Sequence, residues 1–158
     1  MLTPPPRDEN GAVEPHDHPG ILDADGVIRR VQQQWVVKDK DGNRRLSSMA
    51  LKASSGENGG MSVDLEALIV RAGLDPKLYV TNPRWTGSIR FTAGDLRAHG
   101  FKVGFDPLEE KPPSQPANPY HGEVWGAFSK EKQRKLLALA TWYVTLPGVM
   151  LSEAPRVF

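Results

Sequence analysis

The residues best suited to chemistry lie in the stretch NPYHGEVWG, residues 118–126, around His121 and Glu123. An imidazole titrates near neutral pH and a carboxylate can accept a proton, so this pair is the candidate for catalytic acid–base work. His121 follows a long proline-rich segment and begins a predicted strand, a setting in which catalytic or binding groups often occur. Histidines at such junctions also serve only to bond neighbouring backbone, and both interpretations of His121 remain open.

A phosphate-binding set can also be drawn from the sequence. Arg29 shares a predicted strand face with two valines, so its guanidinium either snorkels to water, pairs with a carboxylate or binds an anion. Gly59 and Gly60 precede Ser62, the predicted N-cap of a helix, and free amides at a helix start attract anions. The lysine of a P-loop is missing, and a flexible connector with an N-cap is the alternative interpretation.

A further candidate is the stretch RRLSS, residues 44–48. Arginine and hydroxyl side chains on a strand can hold a phosphate, which makes Ser48 a ligand-binding candidate. An arginine strand followed by a serine-containing strand is similar to the layout of ADP-ribosyltransferases, which also need a glutamate or comparable group on a later strand. Glu123 is the suitable residue for that position, and no family is assigned on this similarity.

The composition excludes several classes of function. The 158 residues include no cysteine, so thiolate nucleophiles, disulfides and cysteine-based metal or iron–sulfur sites are ruled out. A net charge of +1 gives no general attraction to nucleic acid or to an anionic membrane. Acidic residues do not cluster at metal-ligand spacing, and the adjacent His16, Asp17 and His18 are interpreted as part of a solvated tail. We expect no cofactor, no metal site, no membrane span and no secretory signal, and hence a cytoplasmic protein.

Binding to a protein partner is the leading functional expectation. No nucleophile–base–orienter set is recognisable in the sequence, and whether the protein is an enzyme is left open. Tyr79, Trp85 and Tyr120 could form an aromatic contact surface, since tyrosine, tryptophan and arginine dominate binding hot spots. The alternative is an enzyme or sensor for a phosphate-bearing ligand such as a nucleotide, using Arg29, the glycine-rich loop and His121. Nucleic acid is a less favoured partner.

The predicted fold class is α+β. Residues 1–20 hold five prolines and little to bury, so they are expected to form a disordered arm, followed by a single domain over residues 21–158. That domain is expected to have a mostly antiparallel sheet of about four strands, one long C-terminal helix and one or two shorter helices. The helices are predicted after caps at Ser62, Thr92 and Ser129.

The first two strands are predicted to form a hairpin that turns at Asp41 and Gly42. In that register Val37 lies opposite Leu46, and Trp35 lies opposite Ser48. The predicted core consists of Val31, Trp35, Val37, Leu65, Leu68, Ile69, Ile89, Phe91, Leu136, Leu137 and Trp142.

Overall fold

The structure is a computed structural model that describes residues 2–54, 58–82 and 86–151. Within these ranges the chain forms eight strands and four α-helices. In chain order they are β1 (Gly26–Val31), β2 (Val36–Lys38), β3 (Arg44–Leu46), β4 (Met61–Leu65), α1 (Glu66–Arg71), α2 (Pro76–Val80), β5 (Gly87–Thr92), α3 (Ala93–Ala98), β6 (Lys102–Phe105), β7 (His121–Trp125), α4 (Lys130–Leu139) and β8 (Thr141–Val144).

Six of the strands form one antiparallel sheet in the order β6-β7-β4-β1-β5-β8, and β2 pairs with β3 in a separate hairpin. The fold is α+β, but the expectation of about four strands and a long C-terminal helix is wrong. Among the described helices only α4, with ten residues, exceeds six. It ends at Leu139, and the sequence TWYV that follows pairs with β5 as β8. Threonine, valine and aromatic residues favour a pleated strand, which explains why the helix stops there.

The helix predicted from Ser62 is also shorter than expected, because residues 61–65 form β4. The letters MSVDL alternate between apolar and polar residues, which is the period of a strand. Met61, Val63 and Leu65 are buried in the main core, whereas Ser62 and Asp64 point to the other face. The helix begins only at Glu66, so the loop before Ser62 leads into a strand and not into a helix N-terminus.

The first predicted strand is broken into two pieces. β1 ends at Val31, a 3-10 turn occupies Gln33–Trp35, and β2 follows as one side of the hairpin. Val36, not Val37, lies opposite Leu46. Because the register differs by one residue from the predicted one, Val37 faces outward and is exposed. Trp35 is half-buried in the turn and does not face Ser48 across a ladder.

The core lies mainly on one face of the six-stranded sheet. Seven of the eleven predicted core residues are buried: Val31, Leu65, Ile69, Ile89, Phe91, Leu136 and Leu137. Trp35, Leu68 and Trp142 pack against the main core while remaining half-buried. The opposite face carries a smaller cluster of Ile28, Ile69 and Val80. No helix in the described part of the chain is long and apolar enough to cross a membrane.

Residues 16–18 lie against the outer edge of β6. The amide of Val103 donates to Asp17 Oδ1 at 2.9 Å, and the amide of Phe105 donates to His16 Nε2 at 3.1 Å. The backbone of His18 donates to the Val103 carbonyl at 2.8 Å. Side chains of the N-terminal segment thus occupy edge groups that would otherwise invite pairing with another strand. The sequence did not indicate this role for the His-Asp-His triplet.

Ile89 offers a direct test of the sheet, since it is fully buried in β5 between β1 and β8. We expect Ile89→Ala to lower the free energy of unfolding by about 2–5 kcal/mol, because it deletes buried methyl groups and leaves a cavity. Leu78→Ala is the matched control, since Leu78 is 74% exposed, and its effect should stay within about 0.5 kcal/mol. Chemical denaturation of both variants checks the result; equal stabilities would contradict the sheet order.

Candidate functional site

A cleft of about 1140 Å³ opens beside the sheet where β1 and β4 separate. The two strands are paired only at Val27–Leu65 and Ile28–Asp64. Beyond that point β1 continues along β5 while β4 continues along β7. The separation lets side chains from both strands line the same space, which also receives groups from β7 and from the loop after β6.

His121 lines this cleft and makes close contacts through both ring nitrogens. Its Nδ1 is 2.8 Å from the backbone carbonyl oxygen of Asp106 and 3.4 Å from the carboxylate of the same residue. Its Nε2 is 2.5 Å from the Ser62 hydroxyl oxygen. Register places the pairs together, because Ser62 lies opposite Glu123 and Asp64 lies opposite His121 across the β4–β7 ladder. All four side chains therefore share one face of the sheet.

The contacts fix which ring nitrogen carries the proton. A carbonyl oxygen can only accept a hydrogen bond, so Nδ1 of His121 must donate to Asp106. In the neutral imidazole Nε2 then holds the lone pair and accepts the proton of the Ser62 hydroxyl. The result is a chain of hydrogen bonds from the Ser62 hydroxyl through the imidazole to the main-chain carbonyl of Asp106, a set that sequence reasoning did not recognise.

The surroundings of His121 favour its charged form. Burial by itself lowers the pKa of this imidazole, but the hydrogen bonds to Asp106 and the negative charges of Glu123 and Asp106 outweigh it, and the pKa is raised above 6.5. Glu123 Oε1 lies 3.8 Å from Nε2 and is buried. The folded environment of His121 therefore favours the protonated imidazole over the neutral one.

Arg29 enters the same cleft from the other side of the strand separation. Its guanidinium donates to the carbonyl oxygens of Ala50, at 3.1 Å, and Ser62, at 2.9 Å, and to the Ser54 hydroxyl at 3.2 Å. The side chain is only 4% exposed and lies over the ring of Trp35, 4.9 Å from its centroid. The expectation that Arg29 faces the core is confirmed.

One nitrogen of this guanidinium is left without a partner. Arg29 Nη2 is buried, and no group in the described ranges accepts a hydrogen bond from it. Burial lowers the pKa of Arg29 to about 10, against the raising effect of Glu123, so the group keeps its charge at neutral pH. A buried charged donor without a partner is costly, which makes Nη2 the clearest anion-binding atom of the cleft.

Gly60 packs directly against Glu123. A methyl group at Gly60 would collide with the Glu123 carboxylate and would lie 2.9 Å from the indole nitrogen of Trp125. The absence of a side chain thus lets the β4 segment approach β7 closely. Gly59 has a positive φ of 71° with open space around it, which is a turn position before the strand and not part of a helix cap.

Asp106, His121 and Glu123 form a group that could supply metal ligands, since one ligand atom from each lies within 4.8 Å of the others. The two carboxylates nevertheless face different nitrogens of the same ring. A metal ion is bound through one ring nitrogen, so one carboxylate would have to leave its position to share the ion. The charge of nearby Arg29 also opposes a second cation. The arrangement suits proton transfer better than metal binding.

Comparisons of the chain with protein-family models, with curated proteins and with solved structures found no match. The groups of the site are a histidine, a hydroxyl bonded to it, a buried carboxylate, and a buried guanidinium with one nitrogen that no described residue accepts from.

The structure brings some of the candidate residues together and separates others. Arg29, Ser62, His121 and Glu123 all line the cleft, although sequence spacing could not show that they converge. Ser48 lies in a 3-10 turn after β3 and does not line it, so the phosphate set proposed around residues 44–48 is not assembled there. Asp106 was missed because its contact with His121 depends on the pairing of β6 with β7.

Asn118 explains the rest of the NPYHGEVWG stretch. Its side-chain Nδ2 donates to Asp64 Oδ1 at 2.9 Å, and its side-chain Oδ1 accepts from the Tyr79 hydroxyl at 2.7 Å. Asp64 is held in turn by Arg30 through two contacts of 2.8 and 3.1 Å. This network fixes the chain just before His121, so the stretch is both the entrance of β7 and the support of the candidate site.

The proposed partner surface is only partly described. Tyr79 and Tyr120 meet edge to face with ring centroids 5.1 Å apart and pack on the smaller apolar cluster. Both rings are half-buried, and the Tyr79 hydroxyl is engaged by Asn118. Trp85 lies outside the described residues.

The raised pKa of His121 predicts a specific pH dependence. The folded protein holds a proton that the unfolded chain releases near pH 6.5, so this contribution to stability is complete below that pH and is lost as the pH rises through the folded pKa. We expect the free energy of unfolding of wild type, relative to His121→Gln, to be constant at low pH and to fall as the pH rises above about 6.5. Denaturation curves across this range measure it, and a constant difference between the two proteins would contradict the raised pKa.

Proposed function

We propose that the protein is an enzyme acting on a phosphate-bearing ligand such as a nucleotide, which it binds in the cleft between β1 and β4. The observation that carries this proposal is the buried Arg29 guanidinium, whose Nη2 is unpartnered among the described residues while Ser62 and His121 line the same cleft. A guanidinium presents a planar fork that matches phosphate oxygens, and a phosphate oxygen would satisfy the donor that the fold leaves open.

The size and lining of the cleft support a ligand larger than inorganic phosphate. Its volume of about 1140 Å³ exceeds the roughly 300–1,000 Å³ of typical small-molecule sites, so there is room for a ligand of nucleotide size. Trp35 and Trp125 also line it; Arg29 lies over the Trp35 ring, and Trp125 is buried against His16. Arg7 and Lys111 add positive charge at the rim, where they are exposed.

The acid–base role falls to His121. When charged it can protonate a leaving oxygen, and when neutral it can accept the proton of an attacking hydroxyl. Glu123 is buried beside it and maintains the basicity of the ring. Asp106 fixes the tautomer from the opposite side, as the orienting residue of a histidine does in nucleophilic enzymes.

A thermal-shift screen of nucleoside mono-, di- and triphosphates against the wild-type protein tests the proposal. A ligand held at about one hundred times its dissociation constant should stabilise the fold by about 2.7 kcal/mol, which raises the melting temperature by several degrees. Calorimetric titration of the ligand that is found should then show a loss of about tenfold to one hundredfold in affinity for Arg29→Lys, which keeps the charge but loses the forked donor.

The matched control is Arg90→Lys. Arg90 is on the neighbouring strand β5 and pairs with Glu66 at 3.0 Å, outside the cleft. It makes the same chemical change without touching the site, so its affinity should equal that of wild type. The proposal fails if none of the phosphates shifts the melting temperature, or if the two lysine variants bind equally well.

Partner binding is the second candidate, and it is supported by three exposed apolar side chains on consecutive elements. Val70 on α1, Leu74 in the connection and Leu78 on α2 are 58%, 44% and 74% exposed. Apolar groups presented to water in this way are typical of contact surfaces. Tyr79, next to Leu78, would supply an aromatic anchor at its half-buried ring.

A charge on this surface should abolish such binding. We expect Leu78→Glu to remove capture of a defined partner by affinity chromatography, because burying a carboxylate in an apolar interface is costly. Val37→Glu is the control, since Val37 is also exposed but lies on the β2–β3 hairpin. Equal capture of that partner by both variants would exclude the α1–α2 surface.

A further inference from the structure

We propose that Ser62 is a nucleophile, activated by His121 and positioned by Asp106, that attacks the phosphorus of a phosphate ester bound in the cleft. The inference rests on the proposed function for its substrate class. Its own basis is the hydrogen-bond chain from the Ser62 hydroxyl through the imidazole to the main-chain carbonyl of Asp106, with distances of 2.5 and 2.8 Å.

The geometry meets the requirements of an activated serine. The nucleophile and its base are within hydrogen-bond reach, and the base is oriented by a third group on its other nitrogen. Ser62 is half-buried and lines the cleft, so its oxygen can be reached by a ligand, whereas His121 behind it is shielded from bulk water. The hydroxyl is not used elsewhere in the fold as a helix cap, because Ser62 lies inside β4.

The guanidinium of Arg29 lies against the main chain of Ser62 and, in this proposal, would stabilise the charge that develops during attack. Its Nη1 donates to the carbonyl oxygen of Ser62 itself at 2.9 Å, and Nη2, bonded to the same carbon, is the donor left without a partner by the described residues. A phosphate held by Nη2 would therefore lie beside the Ser62 residue. Preorganised charge at this point lowers the barrier because no reorganisation is needed during the reaction.

The step balances with groups already present. The Ser62 oxygen forms a bond to phosphorus, its proton passes to Nε2 of His121, and the bond from phosphorus to the leaving oxygen breaks. His121 then gives this proton to the leaving oxygen, which departs as an alcohol. The product is a phosphoseryl protein. His121 then takes a proton from a water molecule whose oxygen attacks the phosphorus, the bond from phosphorus to the Ser62 oxygen breaks, and His121 returns the proton to that oxygen, which restores the serine and releases the phosphate.

Labelling with diisopropyl fluorophosphate tests the nucleophile without a known substrate. The Ser62 oxygen would displace fluoride from phosphorus, and intact-mass spectrometry with peptide mapping should find one adduct, located on Ser62. We expect Ser62→Ala to remain unlabelled, and His121→Gln to label at least about one hundredfold more slowly, since a positioned general base contributes that much. His99→Gln, which changes a histidine outside the cleft, should label at the wild-type rate.

Ser114→Ala provides the serine control, because Ser114 is exposed in the same cleft and its loss should leave the labelling unchanged. The nucleophile is overturned if wild type takes up no label, if the adduct maps to another residue, or if His121→Gln labels as fast as wild type. Nucleotide binding that depends on Arg29 without any labelling would leave the proposed function standing and remove the nucleophile. Labelling of Ser62 without phosphate binding would leave the nucleophile standing and remove the proposed function.

Discussion

The separation of β1 from β4 after Ile28, and the arginine that fills it, determine the rest of the site. An antiparallel pair that stops after two residues leaves backbone groups without partners, and buried groups of this kind must be satisfied elsewhere. Arg29 donates to the Ser62 and Ala50 carbonyls from the buried face of β1, where its neighbours Val27 and Val31 are apolar. Because the same guanidinium holds β4 at this distance from β1, it sets both the width of the cleft and the position of Ser62.

The pairing of β4 with β7 brings Ser62 together with the other polar residues of the site. Register fixes Ser62 opposite Glu123 and His121 opposite Asp64, so two rows of polar side chains stand on one face while Met61, Val63 and Val124 fill the core on the other. The row nearer Arg29 could perform chemistry, and the row nearer Asn118 anchors the chain entering β7. Groups carried on paired strands are held more rigidly than groups on loops, which is what a reacting hydroxyl and imidazole need.

The sequence predicted those parts of the site that depend on local pattern. Arg29 could be assigned to the core face from the period of its own strand, and His121 to a strand entrance from the proline-rich segment before it. Ser62 was misplaced because a serine before Val-Asp-Leu-Glu resembles a helix cap, while the alternation of MSVDL supports a strand with equal strength. Pairing with β7 decides between the two. Asp106 could not be found, because only the alignment of Phe105 with Gly122 brings it to the imidazole.

The energetic cost of these residues is the final argument for a role beyond folding. Arg29, His121 and Glu123 are ionisable and almost completely buried in one small sheet. Replacing buried ionic groups with apolar residues of similar volume often leaves a protein as stable or more stable, so stability alone does not require them. Their charges also shift one another, since Glu123 raises the pKa of both its neighbours. Clusters of buried ionisable groups that shift one another's pKa and open onto a cleft are typical of sites of acid–base chemistry. Apolar side chains such as leucine would stabilise a core at least as well.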